Sequence, residues 1–191
     1  MIRTASIPFR HVPARHHDER GWFSELYSRK AMAECGVGHD FVQDNFSHSV
    51  RRGTIRGIHF QRPPHGQAKL VRCLAGAILD VAVDLRAGSP SYGQWVSAVL
   101  TSEGGEQLYI PEGFGHGFMT LTDNAAVSYL ASDHYHPDLE GGIAWDDSDL
   151  SIAWPLAGLT PTLSPKDRSL PPLRDIVSGF AYDGVPLAPL E

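Results

Sequence analysis

The chain has few cysteines, no excess of positive charge and no long apolar run. Cys35 and Cys73 are too few for a disulfide scaffold, and their spacing is not that of a metal-binding pair. We therefore expect reduced thiols and a cytoplasmic location, with an intermolecular disulfide as the less favoured alternative. The formal net charge of −6 argues against binding to nucleic acid or to a membrane surface.

Signals for export or membrane insertion are also lacking. No apolar segment has the length of a membrane span, and residues 1–20 contain no apolar core of a signal peptide. The 191 residues include 19 glycines and 14 prolines, and 20% of them are charged. This composition is typical of a turn-rich globular protein, and the length predicts a single domain spanning 1–191.

Short β-strand patterns recur along the chain. An edge strand is predicted over 7–12, a charged turn over 16–21 and a further strand over 22–27. Ser28 can cap a short helix over 29–35, which Gly36 ends. Beyond it, turn residues separate strand patterns at 41–47, 53–61, 68–74, 77–86, 93–100, 107–111, 117–121 and 125–131. Many short strands without βαβ alternation predict an all-β antiparallel sandwich or barrel with a few short peripheral helices.

The composition divides this single domain into three regions. Residues 1–30 hold the N-terminal strands, and residues 40–154 hold the barrel strands. After Trp154-Pro155 the chain becomes rich in proline and leucine, with one weak helical turn near 173–178. We expect residues 155–191 to form an extension that lies on the barrel and covers it, not a second domain.

Residues 53–72 place chemically versatile side chains within strongly β-type sequence. Arg56, His59, Gln61 and Lys69 are separated there by small or apolar residues. In a regular strand, Arg56 and Ile58 share one face, while His59 and Gln61 share the other. Cations and a histidine in such a setting favour a concave, anion-binding site over a solvated surface.

A second segment resembles part of a known metal-binding fold. The spacing of Pro111, Gly113 and His116 is similar to the second motif of the cupin jelly rolls, in which the histidine usually binds a metal. Where a cupin's first motif has His-x-His and a later Glu, this chain has His-Phe-Gln from His59 and no Glu before residue 73. Lys69 occupies that interval and is a poor neighbour for a divalent ion. We therefore predict no metal and favour acid–base chemistry.

Six segments together resemble the dTDP-4-dehydrorhamnose 3,5-epimerase family. They are DERGWFSE at 18–25, FVQDN at 41–45, RGIHFQ at 56–61, GQAKLVR at 66–72, IPEGFGHGF at 110–118 and LSPKD at 163–167. The resemblance runs from about residue 7 to about residue 173. It implies a cupin-type jelly-roll barrel, an isomerase without a cofactor, a dTDP-linked 4-keto-6-deoxyhexose as substrate, and a homodimer whose N-terminal strands are exchanged.

The chemistry of such a substrate is consistent with the residues present. A ketone at C4 acidifies the protons on C3 and C5, so epimerisation needs a base, an acid on the opposite face and a cation near the ketone oxygen. The resemblance implies that His59 is the base, that Asp167 orients it and that Tyr129 is the acid. Lys69 then faces the enolate oxygen, as a compact positive charge is able to do.

The remaining site residues are also implied by the resemblance. His116 is expected near the sugar, and our hypothesis is that Asp80 orients it. The positions expected to hold the nucleotide or the sugar are Arg20, Phe23, Glu25, Gln43, Asn45, Arg56, Gln61, His116, Tyr135, Glu140 and Lys166. Four further histidines sit in polar turns and are expected to be solvated, namely His16, His17, His134 and His136. Pro165 departs from the family pattern and is expected to be tolerated.

Three alternatives stay open at this point. An enzyme of the same family could invert only C3 or only C5 in another deoxysugar pathway, although Tyr129 favours the double epimerase. A metal-dependent cupin such as a dioxygenase lacks support because the His-x-His and Glu ligands are missing. A barrel that only binds a nucleotide sugar would have no use for a base, an acid and an orienting carboxylate together.

Overall fold

The computed structural model describes residues 5–190. The strands in this part of the chain are β1 (Phe9–His11), β2 (His16–Asp18), β3 (Gly21–Phe23), β4 (Gln43–Ser49), β5 (Ile55–Gln61), β6 (Lys69–Ala75), β7 (Ala77–Asp84), β8 (Trp95–Thr101), β9 (Gln107–Ile110), β10 (Phe114–Thr120), β11 (Ala125–Ala131) and β12 (Glu140–Gly142). The helices are α1 (Arg29–Glu34) and α2 (Pro165–Arg168), with 3₁₀ turns at Pro137–Leu139 and Leu173–Asp175. Among the described residues, no helix is both long enough and apolar enough to cross a membrane.

Two five-stranded antiparallel sheets form the body of the molecule. The first has the order β1-β9-β6-β11-β4 and the second the order β12-β5-β10-β7-β8, while β2 and β3 form a separate hairpin. Alternate side chains of both sheets pack into a shared apolar core that includes Val71, Ile78, Leu100, Leu108 and Phe118. This all-β jelly roll confirms the predicted fold class, and β1 lies at a sheet edge as expected.

A second core lies on the outer face of the second sheet. Val81 and Val83 project there from β7 and Leu85 from the position just after it, and Leu150 and Leu173 cover them from the C-terminal side. The predicted division of the β7 faces is therefore correct, because Ile78 and Ala82 point into the other core. The extension packs along this outer face, and a bridge between Thr54 and Thr162 ties it to the start of β5.

Several predicted boundaries were wrong near the hairpin and the turns. His16–Asp18 is a strand and not a turn, because it pairs with Gly21–Phe23, and β3 ends at Phe23 instead of Tyr27. β10 begins at Phe114 and not at residue 117, so His116 lies within the strand and not in the turn before it. The sequence did not predict β12, whose Glu-Gly-Gly segment has little intrinsic strand propensity and which pairs, among the described strands, only with β5.

The predicted faces of β5 were partly wrong because this strand is irregular. Arg56 pairs with Phe118, yet His59 pairs with His116, so three steps on β5 match two steps on β10. The extra residue turns Arg56 to the same face as His59, whereas Ile58 joins the outer core. Gly117 permits this close approach, because a Cβ there would lie 2.9 Å from the carbonyl oxygen of Arg56.

Both helices begin with a side-chain cap, although the sequence predicts only the cap of α1. Ser28 Oγ accepts a hydrogen bond from the Ala31 amide at the start of α1. Ser164 Oγ accepts one from the Asp167 amide, 3.0 Å away, at the start of α2. Pro165 is the first helical residue, a position where its fixed φ and missing N–H carry no penalty.

Candidate active site

A histidine and an aspartate from distant parts of the chain meet at the edge of the barrel. His59 Nε2 lies 2.6 Å from Asp167 Oδ1, with the His59 side chain 27% exposed and that of Asp167 4% exposed. Burial acts to raise the pKa of Asp167, but hydrogen bonds from His59 and Ser164 and the nearby positive charges lower it overall. An ionised carboxylate only accepts, so Nε2 carries a proton, and in the neutral form of the imidazole Nδ1 then has a free lone pair.

A second pair of the same kind lies beside the first. His116 pairs with His59 across the two strands, and its Nε2 lies 2.7 Å from Asp80 Oδ1. Burial lowers the pKa of His116, although the charge and hydrogen bond of Asp80 oppose the shift. The second oxygen of Asp80 is buried and has no hydrogen-bond partner among the described residues. The contact expected between Asp80 and His116 is therefore present.

Lys69 supplies a buried positive charge from the opposite sheet. It is 9% exposed, and its Nζ lies 5.8 Å from the centre of the Tyr129 ring. Burial lowers its pKa to about 8, while the carboxylates of Asp80 and Glu140 limit the shift. The ammonium group has no hydrogen bond or ion pair with residues 5–190, so it is free to face a ligand oxygen.

Tyr129 stands on β11, across the barrel from the two histidines. Its ring lies 6.2 Å from that of His116, with an edge-on angle of 65°. Burial raises the pKa of its phenol, with Arg56 and Lys166 acting in the opposite direction and Glu140 in the same one. The hydroxyl therefore keeps its proton at neutral pH.

Glu140 contacts two other residues that are expected to bind substrate. Its Oε1 forms an ion pair with Lys166, and its Oε2 accepts a hydrogen bond of 2.8 Å from the Tyr135 hydroxyl. Burial acts to raise the pKa of Glu140, but Lys166 and Tyr135 lower it overall. An open cavity of about 520 Å³ is lined by Glu140, Lys166 and Gly142 together with residues of the extension, and none of the acid–base side chains lines it.

The polar residues of β4 and β5 occupy the same region. Gln43 donates to Asn45 Oδ1 at 2.9 Å and accepts from the Tyr135 amide at 3.1 Å. Arg56 donates to Ser49 Oγ at 3.2 Å. Asn45 pairs directly with Tyr129 in the first sheet. These side chains form a polar wall next to the acid–base groups.

Gln61 has a different immediate role from the one expected. Its Nε2 donates to the carbonyl oxygens of His65 and His134, and its Oε1 accepts from the His136 amide. Because both N–H groups are used in this way, Gln61 holds two loops together. Its contact with substrate stays a prediction.

Three predicted site residues lie on or near the hairpin, away from this cluster. Arg20 is paired with Asp18 at 2.6 Å, and its side chain is 85% exposed. Phe23 is 70% exposed, and Glu25 is also exposed. Among residues 5–190, no hydrogen bond or ion pair joins these three side chains to the barrel site.

Two positions that support the site escaped the sequence reading. Ser164 fixes the first turn of α2 and so the position of Asp167. Arg62 donates to the carbonyl oxygens of Glu140 and Val177, which holds β12 against the extension. The Ser-Pro-Lys-Asp pattern was a usable signal for the Ser164 cap, whereas Arg62 carried no signal in the sequence.

The fold and the site define a cupin-type jelly roll whose interior carries acid–base groups. The model of the dTDP-4-dehydrorhamnose 3,5-epimerase family matches residues 8–175. The chain belongs to this family of isomerases, as the sequence motifs predicted.

Individual relatives agree with this assignment. The chain is 47% identical over 174 residues to a dTDP-4-dehydrorhamnose 3,5-epimerase of Sinorhizobium fredii, covering 89% of this chain and 87% of that one. It is 43% identical to a dTDP-6-deoxy-D-glucose-3,5-epimerase of Legionella pneumophila, solved in complex with dTDP-4-keto-L-rhamnose, with a TM-score of 0.86 and coverage of 92% and 93%. It is also 38% identical to a 3′-monoepimerase of Streptomyces bikiniensis in complex with dTDP-quinovose, with a TM-score of 0.82 and coverage of 90% and 87%.

Proposed function

We propose that the chain converts dTDP-4-dehydro-6-deoxyglucose into dTDP-4-dehydrorhamnose by inverting C3 and C5 in turn. Family membership supports this reaction. The observation that carries its assignment to particular residues is the placement of His59, bound by Asp167 of α2, on one sheet and of Tyr129 and Lys69 on the other. A sugar ring between the sheets would then have a base on one face and an acid on the other.

In the first step, His59 removes a proton from the carbon next to the ketone. Nδ1 is the accepting atom because Nε2–H is already donated to Asp167. The imidazolium that forms is stabilised by the Asp167 carboxylate, whose lowered pKa keeps it ionised. The electron pair of the broken C–H bond moves onto the C4 oxygen and gives an enolate.

Lys69 stabilises that enolate. Its ammonium is buried and has no other partner in the part of the chain that the structure describes, so the developing charge on oxygen meets a desolvated cation. Tyr129 then gives its phenol proton to the opposite face of the carbanion, which inverts the carbon. Solvent restores the proton on Tyr129 and takes the one on His59, so the enzyme returns to its starting state.

Neutral His116 holds the sugar during these steps. Asp80 fixes its Nε2–H, so Nδ1 accepts a hydrogen bond from a sugar hydroxyl. Gln43, Asn45, Arg56, Glu140 and Lys166 line the same end of the barrel and are proposed to hold the nucleotide and the sugar. Tyr135 is proposed to lie near the nucleotide. The cytoplasmic location expected from the sequence is part of this proposal.

The hairpin residues are proposed to act in the site of a second copy of the chain. Arg20, Phe23 and Glu25 lie apart from the site of their own barrel, and Trp22 and Phe23 expose their rings. On β4, which lies at an open sheet edge, Phe46 is 66% exposed. Exchange of N-terminal strands in a homodimer would cover these surfaces and supply an arginine for the diphosphate.

Mixing two inactive variants tests this exchange. His59→Ala chains and Arg20→Ala chains should regain activity together, because one site of the mixed dimer has both intact residues. A mixture no more active than its components, or a monomer by light scattering, would contradict the exchanged dimer.

A single-site epimerase is the second candidate. The similarity to a 3′-monoepimerase favours it, since both kinds of enzyme share this fold at comparable identity. The two candidates differ in whether C5 also loses its proton.

Proton exchange followed by NMR separates them. The chain is incubated in D₂O with dTDP-4-keto-6-deoxyglucose without added metal, and the C3-H and C5-H signals are followed. We expect both signals to disappear, and His59→Ala to prevent this while His48→Ala, a change of an exposed histidine, does not. Loss of one signal would establish the single-site enzyme, and loss of neither despite binding would overturn the proposed function.

A further inference from the structure

A second histidine cluster lies outside the acid–base site, where two loops meet. It consists of His65, Asp133 and His136, whose possible ligand atoms all lie within 4.8 Å of one another. We propose that these three side chains form a binding site for a divalent transition metal ion, with Zn²⁺ as the natural probe. This metal site does not depend on the epimerase reaction, since none of its three residues has a role in that reaction.

The donor set suits zinc. Two imidazoles and one carboxylate, with water as the fourth ligand, give the tetrahedral arrangement that Zn²⁺ prefers. His65 Nδ1 and Asp133 Oδ2 are already 2.9 Å apart. Two ligands of a tetrahedral zinc ion with bonds of about 2.0–2.1 Å are separated by about 3.3 Å. The ion therefore replaces the shared proton with only a small movement of these two groups.

His136 needs a larger movement. Its ring is stacked on that of His65, with the centroids 3.9 Å apart and the planes inclined by 15°. A metal ion lies in the plane of each imidazole that binds it, so one of the two rings must turn. The His65 side chain is 42% exposed and that of Asp133 32% exposed, which leaves room for such a turn. The sequence reading placed His136 in solvent, and the stacked ring corrects it.

The backbone beneath the cluster is already fixed. Gln61 bonds to the carbonyl oxygen of His65 and to the amide of His136, and Gln67 donates to the carbonyl oxygen of Asp133 at 2.8 Å. The three ligands are thus held on two connected loops before the ion arrives. Such preorganisation reduces the entropy lost on binding. Tyr135 lies between two of the ligands, so the ion would also restrain this part of the site.

Titration calorimetry tests the site directly. The chain is prepared without a polyhistidine tag, stripped of metal with a chelator and titrated with Zn²⁺. We expect one ion per chain, and His136→Asn and Asp133→Asn should each weaken binding by more than about tenfold, since even the loss of an outer-shell partner costs that much. His134→Asn is the matched control, because His134 lies in the same loop but only its backbone contacts the cluster.

Two further measurements keep the test decisive. Zn²⁺ should raise the Tm of the wild type and of His134→Asn, but not that of His136→Asn. Co²⁺ bound to the wild type should show the visible absorption of a tetrahedral site, a result that needs no variant. The absence of saturable Zn²⁺ binding by the wild type would overturn the proposal. Equal Zn²⁺ affinity of the wild type and His136→Asn would also overturn it. So would a loss of Zn²⁺ affinity in His134→Asn as large as the loss in His136→Asn.

Discussion

The two histidine–aspartate pairs of the barrel have almost the same hydrogen bond and different surroundings. The distances are 2.6 Å for His59–Asp167 and 2.7 Å for His116–Asp80. His59 is partly exposed and receives its carboxylate from the extension, whereas His116 is buried and receives its own from the neighbouring strand. Similar local geometry is therefore compatible with two different roles. In the proposed reaction, the partly exposed pair exchanges protons with solvent, and the buried pair holds a neutral hydrogen-bond acceptor in place.

The largest effect is expected at the exposed pair. Asp167→Asn leaves an amide that cannot stabilise the imidazolium, so kcat should fall by about 10²- to 10⁴-fold, the range of a positioned acid–base group. The rate of C3-H and C5-H exchange measures this. A loss smaller than that of Asp80→Asn would reverse the assignment of the two pairs.

Tyr129→Phe should separate proton removal from inversion. Without the phenol, His59 still abstracts the proton and can return deuterium from solvent to the same face. We expect wash-in of deuterium to persist while formation of the inverted sugar falls by about 10²-fold or more. NMR of the sugar ring protons distinguishes the two processes. Parallel loss of exchange and inversion would place Tyr129 in proton removal instead.

Asp80→Asn should have an intermediate effect. His116 then loses the carboxylate that fixes its Nε2–H, so the sugar is held less firmly, and we expect about a tenfold loss of kcat/KM with the Tm nearly unchanged. The pKa of His116 should fall further in this variant, because Asp80 opposes its lowering. The pH profile of kcat/KM should therefore shift to lower pH. Wild-type kcat/KM and pH profile in this variant would remove Asp80 from the mechanism.

Because of Lys69, we expect kcat and the free energy of unfolding to change in opposite directions as the pH rises above about 8. The charged form of this lysine is needed at the enolate, so kcat should fall as the pH rises through about 8, the lowered pKa of Lys69. In the unfolded chain, Lys69 keeps its proton up to the ordinary lysine pKa. Unfolding therefore takes up a proton at any pH between about 8 and that ordinary value. The free energy of unfolding should rise with pH across this interval, by on the order of 3 kcal/mol.

Lys69→Met tests both consequences. It should lower kcat by about 10²- to 10³-fold, the cost of removing one group that stabilises an oxyanion, and urea unfolding should lose the rise in stability above pH 8. An alkaline decline in kcat that begins near the ordinary lysine pKa would show that Lys69 is not desolvated in solution.

The smallest effect is expected at Pro165. Pro165→Ala keeps α2 and its Ser164 cap, so activity should be unchanged while the free energy of unfolding falls by about 0.4–1 kcal/mol, because the unfolded chain gains freedom. Urea denaturation measures this change. A tenfold loss of kcat would mean that the proline itself positions Asp167.

The sequence predicted the parts of this structure that depend on regular patterns. Strand β11 and the start of α1 agree with the prediction, because alternation and a serine cap act locally. The family motifs also identified His59 and Asp167, which the structure brings together. What failed depends on tertiary contacts. The irregularity in β5 needs β10 beside it, β12 forms only because β5 offers an edge, and the stacking of His136 on His65 requires both loops.

The extension has a consequence for shortened forms of the chain. The last strand ends at Gly142, whereas Ser164 and Asp167 lie in the extension. A chain that stops before Ser164 would therefore keep the residues of both sheets, including His59, Lys69 and Tyr129, but would lack the carboxylate that contacts His59. Turnover is thus expected only from a chain whose extension has docked on the barrel.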